Sequence, residues 1–216
     1  GTRTFLLDEK AKPIADVHLF FSGKNEEGFD RFWMITPPES REIVKTWLRD
    51  LSDGFISFDE ACIYNKIDGP VVVEDVFERA EGWSVLTLTG EKAFQLLCQM
   101  APGLGDLPLF SLKTMSLTEG KIVIAKTCYK KGQEVYEIYA SQKVIPAILE
   151  SLKKISMNSL VESGYAVYDS LRKEASLPAD GLSPQEIVTR FPEYFDFKKP
   201  YFIGHSSFVS CTEEKK

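Results

Sequence analysis

His18 and His205 are the only histidines in this 216-residue chain, and its four cysteines, Cys62, Cys98, Cys128 and Cys211, include no C-x-x-C pair. A dedicated zinc or iron–sulfur site is therefore not expected. Cys–His nucleophilic catalysis would need one of two imidazoles to meet one of four thiols, and no local spacing suggests it. The thiols read as reduced core or surface residues. Basic charge is scarce as well. With 26 Lys and Arg against 32 Asp and Glu, the formal net charge is −6. No Lys/Arg cluster offsets it, which argues against a nucleic-acid or anionic-membrane footprint. Long apolar runs are missing too: Val17–Phe21 and Val71–Val73 are far too short to span a bilayer, and the start lacks a basic stretch followed by an apolar one. A soluble, cytoplasmic protein is the default expectation.

The chain has enough apolar material for a real core, 44% hydrophobic and 12% aromatic. That suits one sizeable domain or two small ones. Two segments follow the same plan of strand, Gly-containing turn, strand and amphipathic helix. The first takes Phe5–Leu7, Ile14–Phe21 and Arg31–Ile35, then a helix after Thr36-Pro-Pro-Glu39 carrying Ile43, Val44, Trp47, Leu48 and Leu51. The second takes Ser111–Met115, Lys121–Tyr129 and Glu134–Tyr139, then a helix carrying Val144, Ile145, Ile148, Leu149 and Leu152. The two apolar stripes coincide at an offset of 101 residues, which suggests two α+β subdomains of related topology. Strands are expected at Val71–Val76 and Trp83–Leu88, and helices at Glu91–Met100 and Val167–Leu177. The run Ala101-Pro-Gly-Leu-Gly-Asp-Leu-Pro108 is the clearest boundary, dividing residues 1–100 from residues 101–216.

Asp16 stands out because strands disfavour aspartate and the surrounding Lys12–Phe21 otherwise reads as a buried strand. By alternation Ala15, Val17, Leu19 and Phe21 share one face, while Ile14, Asp16, His18 and Phe20 share the other. The second face is half polar and could line a ligand cavity. A carboxylate among apolar neighbours suits a positioned acid, base or hydrogen-bond acceptor. The plain alternative is an exposed Asp on an edge strand.

Several blocks resemble the folate-binding T-protein of the glycine cleavage system, an aminomethyltransferase, and its relatives. The strand around Asp16 resembles that family's G-x-[IV]-x-D-[LV] segment. Val73–Val76, Trp83–Leu88 and Thr89-Gly-Glu-Lys-Ala93 resemble its next strands and helix start. Ala125–Tyr129 followed by Tyr136-Glu-Ile138 is similar to R-T-G-Y-T-G-E-D-G-F-E-L. Asp169–Ala175 resembles D-x-x-R-x-E-A, and Lys199–Gly204 resembles K-x-D-F-I-G. Each block is weak alone, but their shared order along nearly the whole chain is specific.

The resemblance implies two related ferredoxin-like α+β subdomains around a central channel that receives tetrahydrofolate. The family also has a segment before these blocks and a small C-terminal barrel after them; both are expected to be absent from these 216 residues. It implies that Asp16 lies near the reacting folate nitrogens, that Glu137 binds the pterin ring, and that Tyr129 contacts folate. Arg172 falls on the arginine of R-x-E-A. A lipoylated H-protein is the implied donor partner. Plain alternatives remain for each residue: Glu137 as an outward-facing strand residue, Tyr129 as core packing, and Arg172 paired with Asp169.

Some family positions are lost. The arginine that contacts folate falls on Tyr168, the asparagine after the third strand on Thr36, the first Asp of a D-D pair on Ala15, and the T-G-E-D loop on Lys130–Gln133. These departures keep two other readings open. One is the superfamily's branch that maintains iron–sulfur enzymes, favoured by the Leu-Pro ending of Leu171–Pro178. That branch has a K-G-C-Y-x-G-Q-E motif, and Lys199–His205 lacks its cysteine. The other is a non-catalytic folate-binding or interaction module.

Overall fold

Alternating apolar residues on the first strands and helical stripes after them build two antiparallel sheets with helices at their sides, an α+β fold in which no barrel closes among the described residues. The structure is a computed structural model that describes residues 1–56, 64, 71–118, 120–128, 133–174, 186 and 189, with side chains of 171–174 excepted. The chain divides into two compact units. One gathers Gly1–Thr2, Leu19–Trp33 and Asp75–Leu177; the other gathers Arg3–His18, Met34–Glu74 and Pro178–Lys216.

The first sheet has the order β1-β2-β3, with β1 at Thr2–Leu7, β2 at Pro13–Lys24 and β3 at Asp30–Ile35. Its first turn is written in Asp8, whose carboxylate accepts from the backbone N–H groups of Lys10 and Lys12. Ala11 takes a left-handed conformation there (φ 61°). Asn25 repeats the device in the β2–β3 turn, accepting from Glu27 and Phe29. The two prolines before the first helix lead into a short 3₁₀ turn, Pro38–Ser40, which runs into α1, Arg41–Ser52. Ala15, Val17 and Val44 form a buried cluster, flanked by Leu6, Ile14, Met34 and Leu48.

The second sheet has the order β4-β7-β6-β5: β4 is Trp83–Thr89, β5 Ser111–Ser116, β6 Lys121–Thr127 and β7 Val135–Ser141. Its register alternates two different faces. On one, Leu88, Ile122, Ile124, Tyr136, Ile138 and Ala140 belong to the main core with α2 (Ala93–Met100) and α3 (Ile145–Ile155), through residues such as Leu97, Ile148 and Leu152. The other face carries Val85 and Thr87 on β4, Glu137 and Tyr139 on β7, and Val123 and Ala125 on β6. The loop between α2 and β5 is tied down by Lys113, whose ammonium donates to the carbonyls of Gly103 and Leu104.

The strands and helices of both repeated segments form where the pattern places them. Correspondence between the two helices is closest at Leu51 and Leu152, both buried, whereas Ile43 is exposed. The strand expected over Val71–Val76 does not form among the described residues. Instead the Val71 backbone exchanges hydrogen bonds with the Ser52 hydroxyl. Asp75 then caps a 3₁₀ turn, Val76–Glu78, by accepting from the Phe77 N–H. The capping aspartate thus turns the chain at the position where the expected strand would end. The last described helix, α4, is Tyr165–Glu174. Among the described residues, no helix is long and apolar enough to cross a membrane.

Candidate functional site

Alternation along β1 puts Arg3, Phe5 and Leu7 on one buried face, so the Arg3 guanidinium needs a counter-charge. Asp16 supplies it. Its carboxylate accepts from Arg3 Nη2 at 3.0 Å, and both side chains are buried. Because β2 is the central strand of its sheet, Asp16 is not on an edge, and the exposed alternative does not hold. His18 is two residues further along the same face and is buried as well. The result is a fixed, charge-balanced carboxylate beside an imidazole. Arg3 was not singled out by the sequence reading, although its place in the Arg3-Phe5-Leu7 alternation carried the signal. Thr36, which stands where the resembling family has an asparagine, follows β3, and its buried hydroxyl oxygen has no hydrogen-bond partner among the described residues.

Glu137 belongs to the other unit. It sits in the middle of β7, paired with Thr87 on one side and Ala125 on the other, on the face turned away from α2 and α3. It is 1% exposed. A carboxylate so buried needs strong donors. Tyr139, two residues on and therefore on the same face, donates from its hydroxyl to Glu137 Oε2 at 2.6 Å. Burial raises the Tyr139 phenol well above its usual range, the charge of Glu137 and the hydrogen bond to it add to the rise, and proximity to Tyr168 adds further.

An aromatic wall stands beside this pair. The Trp33 ring of β3 lies 6.1 Å from the Tyr139 ring and 5.5 Å from the Trp83 ring of β4, tilted against both. On α4, Tyr168 packs against Tyr165 at 5.8 Å. Tyr168, which stands where the resembling family has an arginine, therefore reaches the neighbourhood of Tyr139 as a phenol rather than a cation. Tyr139, Trp33 and Trp83 were not picked out from sequence. The i, i+2 spacing from Glu137 was the signal available for Tyr139.

Tyr129 lies outside the described residues. Arg172 is placed on α4, and its side chain is outside them as well. On the helix-covered face, Glu134 forms a separate network: Lys126 Nζ approaches it at 2.7 Å and the Tyr136 hydroxyl donates to it at 2.7 Å. The hydrogen bond from Lys126, followed by that from Tyr136, lowers the Glu134 carboxyl below its ordinary value. Lys126 also lies over the Tyr136 ring, which stacks on Phe94. This cluster ties strand ends together.

No family model matches the chain. It is similar to the gamma subunit of a heme-dependent oxidative N-demethylase from Ectopseudomonas mendocina, 29% identical over 93 residues. The match covers 43% of this chain, and the chain spans about a quarter (24%) of the length of that curated relative.

Proposed function

We propose that the chain is a folate-binding protein of the T-protein-like superfamily that takes part in moving a one-carbon unit to tetrahydrofolate. The observation that carries this reading is Glu137: a carboxylate buried on the helix-free face of a sheet, held by Tyr139 and flanked by aromatic rings, at the position where the resembling family binds its pterin. The similarity to the N-demethylase gamma subunit supports the superfamily level and does not reach the glycine cleavage enzyme itself.

The residues present fit the pterin end of folate. A carboxylate accepts two adjacent N–H donors in a bidentate pair, and indole faces offer a stacking surface. The role of Glu137 is to bind and orient that ring. Asp16 would direct the acceptor amine and stabilise positive charge developing on it, work of orientation and electrostatics for which a carboxylate fixed by Arg3 is suited. Tetrahydrofolate, when bound, supplies the nucleophilic amine that accepts the carbon. Tyr129 and Arg172 are proposed folate contacts by resemblance, and an aminomethyl unit carried by a lipoylated H-protein is the proposed donor.

A second reading is favoured by the name of the relative, a subunit of an enzyme that removes methyl groups from nitrogen. In it, the chain works within a larger assembly and receives the carbon released by a partner subunit.

Calorimetry with tetrahydrofolate on the wild type, Glu137→Gln and Asp16→Ala tests the proposal. Binding that weakens strongly in Glu137→Gln supports it. A folded wild type that binds no folate refutes it. Binding unchanged by Glu137→Gln removes that residue from the site. If folate binds, transfer assays with an aminomethyl-loaded lipoyl donor and with a demethylating partner separate the two readings.

A further inference from the structure

Tyr139 has no role in the sequence pattern, yet its hydroxyl donates to the Glu137 carboxylate at 2.6 Å. That is the short range of a hydrogen bond to an ionised oxygen. Both side chains are buried. The phenol ring is braced by Trp33, and Trp33 in turn by Trp83, so the hydroxyl is held in place from a second strand and a third.

We infer that Tyr139 is a positioning residue for Glu137: it keeps the carboxylate ionised and aimed in one direction, ready for the paired N–H donors of a pterin-like ring. The ligand in this inference rests on the proposed function, whereas the hold on the carboxylate is a property of the protein alone. A donor that bonds to the charged form favours it, and burial opposes it, so removal of the hydroxyl leaves burial with less to counter it. Among the described residues of that face, β4 presents Trp83, Val85 and Thr87, and β6 presents Val123, Ala125 and Thr127, none of which titrates near neutral pH, and Glu137 has at least one interaction besides that with Tyr139. Lys121 lies at the start of β6 on the same alternation, and α4 brings the phenol of Tyr168 near Tyr139.

The test is a titration of the Glu137 carboxyl by ¹³C NMR in the full chain, wild type against Tyr139→Phe, with tetrahydrofolate calorimetry from about pH 5 to pH 8. In the variant the Glu137 carboxyl should titrate at higher pH. Folate affinity should fall roughly tenfold at neutral pH and further on the acid side. A folded variant in which Glu137 titrates as in the wild type overturns the inference, whatever folate does. A wild type that binds no folate refutes the functional reading instead, and the carboxyl titration still decides what Tyr139 does to Glu137. Should Tyr139→Phe not fold, Glu137→Gln answers from the other side. Loss of the negative charge must bring the Tyr139 phenol down toward its ordinary value, and an unchanged phenol overturns the inference.

Discussion

Arg3 and Asp16 form an ion pair of 3.0 Å in which the two side chains are only 3% and 8% exposed. Removing one member takes the near counter-charge from a buried ion, which costs about 3–5 kcal/mol, whereas replacing both with apolar residues can be neutral. Arg3→Met should therefore destabilise the fold strongly, and Arg3→Met combined with Asp16→Leu should recover most of the loss. Urea unfolding measures both; a double variant as unstable as the single one would show that the pair contributes more than charge balance.

Glu134 gives an acid-side expectation. Its carboxyl is lowered below 4.5 in the folded chain by Lys126 and then Tyr136, so the stabilisation is complete above that value and is lost as pH falls through the folded value. The carboxylate is more than half exposed, so solvent screening limits the contribution to about 0.2–1 kcal/mol. Glu134→Gln should lower the melting temperature slightly at pH 6, and the difference should close as the pH drops below 4.5. A difference that persists at strongly acid pH would assign the effect to packing.

The tyrosines of β7 act on the alkaline side. Tyr136 and Tyr139 are both raised above 10.0, chiefly by burial. A raised folded value means stability that is whole below 10.0 and falls as pH climbs above it, because the unfolded chain ionises first. Tyr139→Phe should make the alkaline decline of stability shallower. An equally steep decline above pH 10 would mean that Tyr139 does not drive it.

The two repeated helices should respond unequally at positions 101 residues apart. Leu152 is 2% exposed and belongs to the main core, so Leu152→Ala should cost about 2–5 kcal/mol. Ile43 is 56% exposed, and Ile43→Ala should fall within about 0.5 kcal/mol of the wild type. Val144, the counterpart of Ile43, is half buried and should lie between them. Equal losses at Ile43 and Leu152 would contradict the burial pattern.

Strands and helices of the repeated segments were legible because their apolar spacing is regular and their turns carry Asp8, Asn25, Gly23 and Gly28. Burial of Asp16 could be anticipated from its strand setting, while its partner could not be read from Asp16 alone: the pairing depends on which strand lies alongside. Val71–Val76 misled because three consecutive valines look like a strand, whereas the Val71 backbone pairs with the Ser52 hydroxyl and Asp75 caps a turn at its end. Glu137 was reached through family resemblance. Tyr139 and Trp33 were missed for different reasons. The first needed only the two-residue alternation, but the second required knowing how the end of β3 meets the second sheet's helix-free face.

Neighbouring residues of β7 serve opposite purposes, since Tyr136, Ile138 and Ala140 build the core while Glu137 and Tyr139 occupy the other side. A slip of one residue in pairing would thrust the carboxylate beneath α2 and α3 and turn isoleucine toward the aromatic wall. Insertions and deletions in this strand are thus forbidden singly, and any engineering of the face that carries Glu137 must proceed by substitution at every second position.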